Sequence, residues 1–262
     1  MSVRGLLTAP LSAGALALAR ASTVLTYAAA GTLTLEGLCR DARRDWRDFG
    51  VGQTELDIAS GLFAWEEEFC LPFLKPADRI LVVGCGSGRD LLALLNLGYH
   101  VTGLEPVPEC VVLAERRLAE RGLRAAVIGG DIETAPLEPR YDVFLFSWFC
   151  FSYIPLRARR VAALARLRRL LPPDGRVLIS YIGARPTPRR SLWQLARATA
   201  WLTRSDWRPE YGDVFAARHG TRCIHYEHRF TAAEIEAEAA DAGLTVAFHD
   251  DASDGNLVLV GG

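Results

Sequence analysis

Between positions 80 and 90 the chain reads ILVVGCGSGRD, an apolar run that breaks into three glycines spaced two apart. Ile80 to Val83 predict a strand buried on both faces, and Gly84, Gly86 and Gly88 remove side chains where the backbone must then turn sharply. LLALLNL, from Leu91, begins a helix whose first N–H groups have no partner within the helix, so a ligand lying on the glycines meets partial positive charge. HVTGLE at 100–105 predicts a second strand. It sets the acid Glu105 about 20 residues past the glycines, where a carboxylate can accept hydrogen bonds from both hydroxyls of a ribose. Together these features point to a bound nucleoside.

The spacing narrows the choice. A dinucleotide fingerprint is G-x-G-x-x-G, whereas GCGSG at 84–88 is G-x-G-x-G followed by Arg89 and Asp90. Here the chain resembles the class I S-adenosylmethionine-dependent methyltransferases: a strand with G-x-G-x-G, a second strand ending in an acid (Glu105), and a third followed by an acid, Asp131 in AAVIGGDIE. The resemblance spans residues 75–182 and, more loosely, 223–262. It implies S-adenosylmethionine as cofactor, with Gly84, Cys85, Gly86 and Gly88 under its methionine and ribose, and Glu105 and Pro106 at the ribose. Asp131 is expected on the adenine amine, Ile132 against the ring, and Asp90 and Ser147 beside the remainder. Members of this family usually carry an acid two residues before the first glycine, where this chain has Val82; Asp90 or an N-terminal residue is expected to compensate.

The periodicity beyond the glycines alternates regularly: helix 88–97, strand 100–104, helix 107–121, strand 124–128, strand 141–147, helix 156–171 and, after the turn PPDG, strand 175–182. Such alternation predicts an α/β, doubly wound, mostly parallel sheet, to which the resemblance assigns seven strands. TAAEIEAEAADAG at 231–243 is a capped helix, and the segments LTVAFHD and NLVLVG flanking DASDG form a C-terminal antiparallel hairpin. Residues 1–75 read as an N-terminal helical cap, with RDARRDWRDFG at 40–50 as a charged connection, and 76–262 as the cofactor-binding domain. Residues 183–222, before the last helix, form a lid-like insertion. Cap and insertion hold five of the six tryptophans (Trp46, Trp65, Trp193, Trp201 and Trp207), so both are expected to wall the pocket.

Composition bounds the partners. A formal net charge of −1 gives no global attraction to nucleic acid, although only Lys75 among the 30 basic residues is a lysine. Six scattered cysteines without a C-x-x-C pair fit a reducing cytoplasm. The apolar run LLTAPLSAGALALA at 6–19 has the length of a secretory core, but Pro10 breaks it, Arg20 ends it, and it is too short to span a bilayer; a helical cap or a contact in a homo-oligomer is expected, without stable membrane insertion.

Methyl transfer from a sulfonium needs alignment and exclusion of water more than acid–base help. FSWFCFSYIP at 146–155 lacks the Asn/Asp-Pro-Pro-aromatic motif of base-amine enzymes, the Pro-Cys nucleophile of cytosine C5 enzymes and, with Ser180-Tyr181 after it, the Asp-Asn pair of metal-dependent catechol enzymes. A metal-independent enzyme acting on O, N or S of a small organic metabolite is the leading expectation. A protein or RNA acceptor, a non-catalytic nucleoside-binding scaffold of the same fold and a nicotinamide oxidoreductase are the alternatives. For catalysis His225 and His228 in CIHYEHRF, together with Tyr153, are the candidates, with His219 a further one. On a strand His225 and His228 face opposite ways, so their H-x-x-H spacing does not make a metal site.

Overall fold

The computed structural model describes residues 3–138, 141–218, 220, 222–252 and 254–261; His219 lies outside these residues. The chain opens with α1 (Val3–Thr32), α2 (Leu35–Gly52), the short α3 (Glu55–Ala59) and α4 (Ala64–Cys70). It then alternates through β1 (Arg79–Val83), α5 (Arg89–Asn96), β2 (His100–Glu105), α6 (Pro108–Glu120), β3 (Val127–Gly129), β4 (Val143–Phe146), α7 (Arg157–Leu170) and β5 (Arg176–Tyr181). After α8 (Arg190–Leu202) and the strands β6 (Asp213–Arg218) and β7 (Cys223–His228) come α9 (Ala232–Asp241), β8 (Leu244–Asp250) and β9 (Gly255–Gly261).

The seven-stranded sheet has the order β3-β2-β1-β4-β5-β9-β8. The first five strands are parallel; β9 pairs antiparallel with both β5 and β8. This is the doubly wound sheet with a terminal hairpin that the alternation predicts. Its central strands carry apolar runs because both faces are covered: Phe144, Phe146 and Val177 pack toward α7 and α9, and Ile80, Val82 and Leu178 toward Leu91 and Leu94 of α5. Val82 is fully buried in that second layer, where an unpaired carboxylate would carry a large desolvation cost. The strand order reverses between β1 and β4, so the carboxyl ends of β1, β2 and β4 splay around one crevice.

Four expectations require correction. The segment 40–50 is not a connection but lies within α2, whose N-cap Thr34 accepts from the Gly37 N–H at 3.0 Å. Density of Arg and Asp hides its apolar stripe. Pro10 does not break α1, which runs through it; one lost backbone hydrogen bond is outweighed by the helix-forming Ala and Leu around it. The stretch Pro10–Thr32 is long and apolar enough to cross a membrane by length and composition, with Arg20 near its middle. Finally, the insertion does not end at 222: β6 pairs with β7 in a separate two-stranded sheet that crosses that boundary. Of its tryptophans, Trp207 is buried against Tyr27 and Phe215, while Trp201 is exposed.

α1 and α8 approach closely because Gly31 has no side chain. A Cβ there would sit 2.0 Å from Thr199 Oγ1 and 2.3 Å from the Ala196 carbonyl. The insertion is thereby tied to the N-terminal segment, and Leu33 accepts from Trp207 Nε1 at 2.9 Å.

Candidate functional site

A cavity of about 660 Å³ opens at the carboxyl ends of β1, β2 and β4, within the ~300–1,000 Å³ of typical ligand pockets. Its floor is the glycine turn, and each glycine is required for a different reason. Gly84 (φ +70°) would place a Cβ 2.6 Å from Cys150 Sγ, and Gly88 (φ +101°) one 3.3 Å from Ala114 on α6. A Cβ on Gly86 (φ +54°) would meet nothing within 4 Å, so this glycine faces open space that a ligand can fill.

Glu105 ends β2 beside that turn and is 4% exposed. Its carboxylate accepts from the Gly86 N–H at 2.8 Å and the Val107 N–H at 2.9 Å, and burial, reinforced by Asp131, pushes its pKa up to about 7. The spare lone pairs of the two oxygens remain for ligand hydroxyls. Across the mouth Asp131 accepts from Arg43 of α2 at 3.1 Å.

Beneath the turn lies a buried charge cluster. Arg89 Nε donates to Asp90 at 2.6 Å and Nη2 to Glu66 of α4 at 2.5 and 2.8 Å, and Ser147 donates to Asp90. The guanidinium stacks between Trp148 (4.4 Å) and Phe63 (4.6 Å). Burial and the neighbouring Asp90 push the Glu66 pKa up. Trp148 and Phe149, just past β4, hold φ of +47° and +61°, a left-handed conformation uncommon for such side chains. That turn swings Trp148 over Arg89 and stacks Phe149 on Trp65 at 5.2 Å.

The far end of the cavity is aromatic. One face of α2 supplies Ala42, Asp45, Trp46 and Phe49 at helical spacing; Trp46 lies 5.8 Å from Tyr153, and Tyr153 5.8 Å from His225. His225 is held at both nitrogens, by Asp45 at 2.5 Å on Nδ1 and Glu227 at 3.2 Å on Nε2. Burial disfavours its charged ring, yet the two carboxylates win and raise its pKa. A ring bonded to carboxylates at both nitrogens positions its neighbours and leaves no free nitrogen with which to take a proton.

Of the cofactor residues expected from sequence, Gly84, Cys85, Gly86, Asp90, Glu105, Pro106, Asp131 and Ile132 line this one cavity. Gly88 and Ser147 do not: Gly88 faces α6, and Ser147 reaches the site only through Asp90. Among the catalytic candidates Tyr153 and His225 line it, and His228 does not. His228, the last residue of β7, is fully buried, its nitrogens bonded to Asp213 (2.7 Å) and Glu234 (3.1 Å). These bonds prevail over burial and lift its pKa to about 9. Glu210, Asp213 and His228 stand close enough together to contact one ion, but Arg160 donates to Glu210, and Tyr226 and His228 both bond Asp213. Sequence reasoning placed Trp46 at the pocket wall but missed Arg43, Asp45, Phe49, Glu66 and Arg89. The α2 residues could have been found from the three- and four-residue spacing of Leu38, Ala42, Asp45, Trp46 and Phe49.

Comparison with known proteins agrees with this geometry. Residues 80–175 match the family model of a methyltransferase domain. The chain is 33% identical over 111 residues to the ribosomal protein L11 methyltransferase of Thermus thermophilus, covering 42% of this chain and 40% of that protein. It is 28% identical over 168 residues to a ubiquinone biosynthesis O-methyltransferase of Azorhizobium caulinodans, covering 63% and 58%. In each case the chain matches less than two thirds of the relative's length. In structure it superposes on a SAM-dependent methyltransferase of Methanosarcina mazei with a TM-score of 0.59 at 19% identity, covering 77% of this chain and 98% of that one. The CcbJ methyltransferase of Streptomyces caelestis gives 0.57 at 16% identity, covering 73% and 87%. Residues 80–175 thus match a methyltransferase domain, and the chain has the class I, Rossmann-like methyltransferase fold.

Proposed function

We propose that this chain transfers a methyl group from S-adenosylmethionine to oxygen, nitrogen or sulfur of a small, planar organic acceptor. The observation that carries the reading is a single cavity joining the glycine turn, Glu105 and Asp131 at one end to the ring wall of Trp46, Phe49, Trp148 and Tyr153 at the other. The residues suit the cofactor: open space over Gly86, a buried acid with spare lone pairs at the end of β2, and a second acid beyond β3. S-adenosylmethionine supplies a methyl on a positively charged sulfur, transferred by in-line displacement. Glu105 would hold the ribose hydroxyls and Asp131, released from Arg43, the adenine amine.

The chain's remaining work is alignment. The four rings exclude water and offer flat apolar surface, and His225 between Asp45 and Glu227 fixes α2 to β7. Since both ring nitrogens of His225 are taken up by carboxylates and His228 is walled off, the acceptor is a nucleophile that needs no histidine base: a neutral amine, a thiolate, a carboxylate or a phenol already ionised. A concave, ring-lined pocket favours a small molecule over a protein or RNA acceptor.

Calorimetric titration with S-adenosylmethionine, S-adenosylhomocysteine and NAD tests the cofactor, and a methyl-transfer screen over amines, thiols, carboxylates and phenols tests the acceptor. Binding of both sulfur nucleosides without NAD is expected. Binding of NAD alone would overturn the reading.

A further inference from the structure

α1 leaves the body of the protein as an apolar helix open to solvent. From Pro10 to Leu25 every residue is exposed, Leu11 by 70% and Leu18 by 74%; Thr26 and Tyr27 are the next to be buried. At about 100° per residue, Leu11, Leu16 and Val24 point three different ways around the axis. A surface helix of a soluble protein buries one apolar stripe and shows a polar face, whereas a helix apolar on all sides needs apolar surroundings. A two-stranded coil in water has an apolar seam flanked by charges, and Arg20 is the only charge between Gly5 and Leu35. The length agrees with a bilayer: from Val3 to Leu25 the helix rises about 35 Å, against a hydrocarbon core of about 30 Å. The expectation of no stable insertion rested on residues 6–19, but the apolar helix continues to Thr32. Arg20 lies about 8 Å along the axis from Leu25, close enough to the root of the helix for its guanidinium to reach a headgroup layer.

The root is cationic. Residues 1–35 and 183–205 together hold seven arginines and none of the chain's 31 acids. α8, which packs against α1 at Gly31, carries Arg190, Arg197 and Trp201 on one exposed face at intervals of seven and four residues, and Arg204 follows its end. Arg190 and Arg197 rest on the rings of Tyr211 and Trp193 and form no ion pair among the described residues. Trp201 beside them is 70% exposed. An open tryptophan among arginines suits the layer between hydrocarbon and water, and the cations suit anionic headgroups. We propose that α1 anchors this chain in an anionic phospholipid bilayer, with Val3 to Leu25 in the hydrocarbon and Arg190, Arg197, Trp201 and Arg204 at the headgroups.

The test dilutes the full chain out of detergent onto vesicles of phosphatidylcholine, alone or mixed with phosphatidylglycerol, and floats them through a density gradient. Wild type should float with both. The mixed vesicles should reach half flotation at a lipid concentration lower by about tenfold or more, since each arginine near an anionic surface contributes about fivefold. Leu11→Asp combined with Leu18→Asp should abolish flotation at either composition while the protein still melts cooperatively, because both side chains lie outside the core. Arg190→Glu combined with Arg197→Glu should keep flotation with phosphatidylcholine and lose the preference for the anionic mixture. Flotation that persists in the leucine variant would overturn insertion and leave attraction by charge alone. A wild-type chain that stays in solution without detergent as a dimer, never floats, and becomes monomeric in the leucine variant would assign the apolar helix to a second copy and overturn the proposal.

Discussion

Replacing Glu105 by glutamine should remove part of the pH dependence of folding. The side chain is nearly fully buried and its pKa is lifted from 4.5 to about 7, chiefly by desolvation. A carboxyl whose folded pKa lies above its unfolded one favours the fold fully below the unfolded value; that advantage is lost as pH rises toward the folded pKa. Between pH 5 and pH 8 the loss from this one group works out at about 2–3 kcal/mol, taking roughly 1.4 kcal/mol per pKa unit. Glutamine keeps one acceptor for the Gly86 and Val107 N–H groups and cannot ionise. Urea unfolding of cofactor-free protein at both pH values should therefore show wild type losing about 2–3 kcal/mol more than Glu105→Gln on going from pH 5 to pH 8. An equal change in the two proteins would refute the argument, because Glu105 would then ionise as easily in the fold as in the unfolded chain.

His228 gives the same sign from a base. Its pKa is raised from 6.5 to about 9, so its stabilisation is complete below pH 6.5 and lost as pH rises through 9. His228→Gln should accordingly be destabilised by about 2–4 kcal/mol near pH 6, with the gap from wild type narrowing at pH 9.5 in urea titrations; a gap of constant size would contradict it. Gly31→Val should lower the melting temperature by several degrees, as expected for a clash costing about 1–3 kcal/mol, since its side chain would collide with Thr199 and the Ala196 carbonyl. An unchanged melting temperature would mean that α1 and α8 are free to separate.

The parallel core was legible because its strands are buried on both faces and read as unbroken apolar runs, Ile80 to Val83 and Val143 to Phe146 among them. Gly243 (φ +75°) and the Pro172–Gly175 turn punctuated the ends. The roof was not legible. Seven of the eleven residues in RDARRDWRDFG are Arg or Asp, and several of them serve the site by pairing across it, so a charge-rich run looked like a linker. Alternation correctly separated His225 from His228, but which of them faces the cavity is decided by how β6 and β7 dock on α2, a long-range contact with no local signature. Arg89 was passed over because its partner Glu66 lies 23 residues earlier, on α4, a contact with no local signature.

The roof helix has a consequence for how such a protein diversifies. α2 precedes the matched domain, yet contributes Trp46 and Phe49 to the ring wall and is tied across it by Arg43 to Asp131, Asp41 to the Ile224 N–H and Asp45 to His225. Half of the ring wall therefore lies on a separate piece of chain, while Trp148 and Tyr153 share the matched segment with the glycine turn. Under the proposed function, changes at Trp46 and Phe49 of this 18-residue helix would alter what is accepted while its bonds to the glycine turn and to Asp131, through Gln53 and Arg43, are kept, so this stretch is the part that drift can rewrite and a designer can graft.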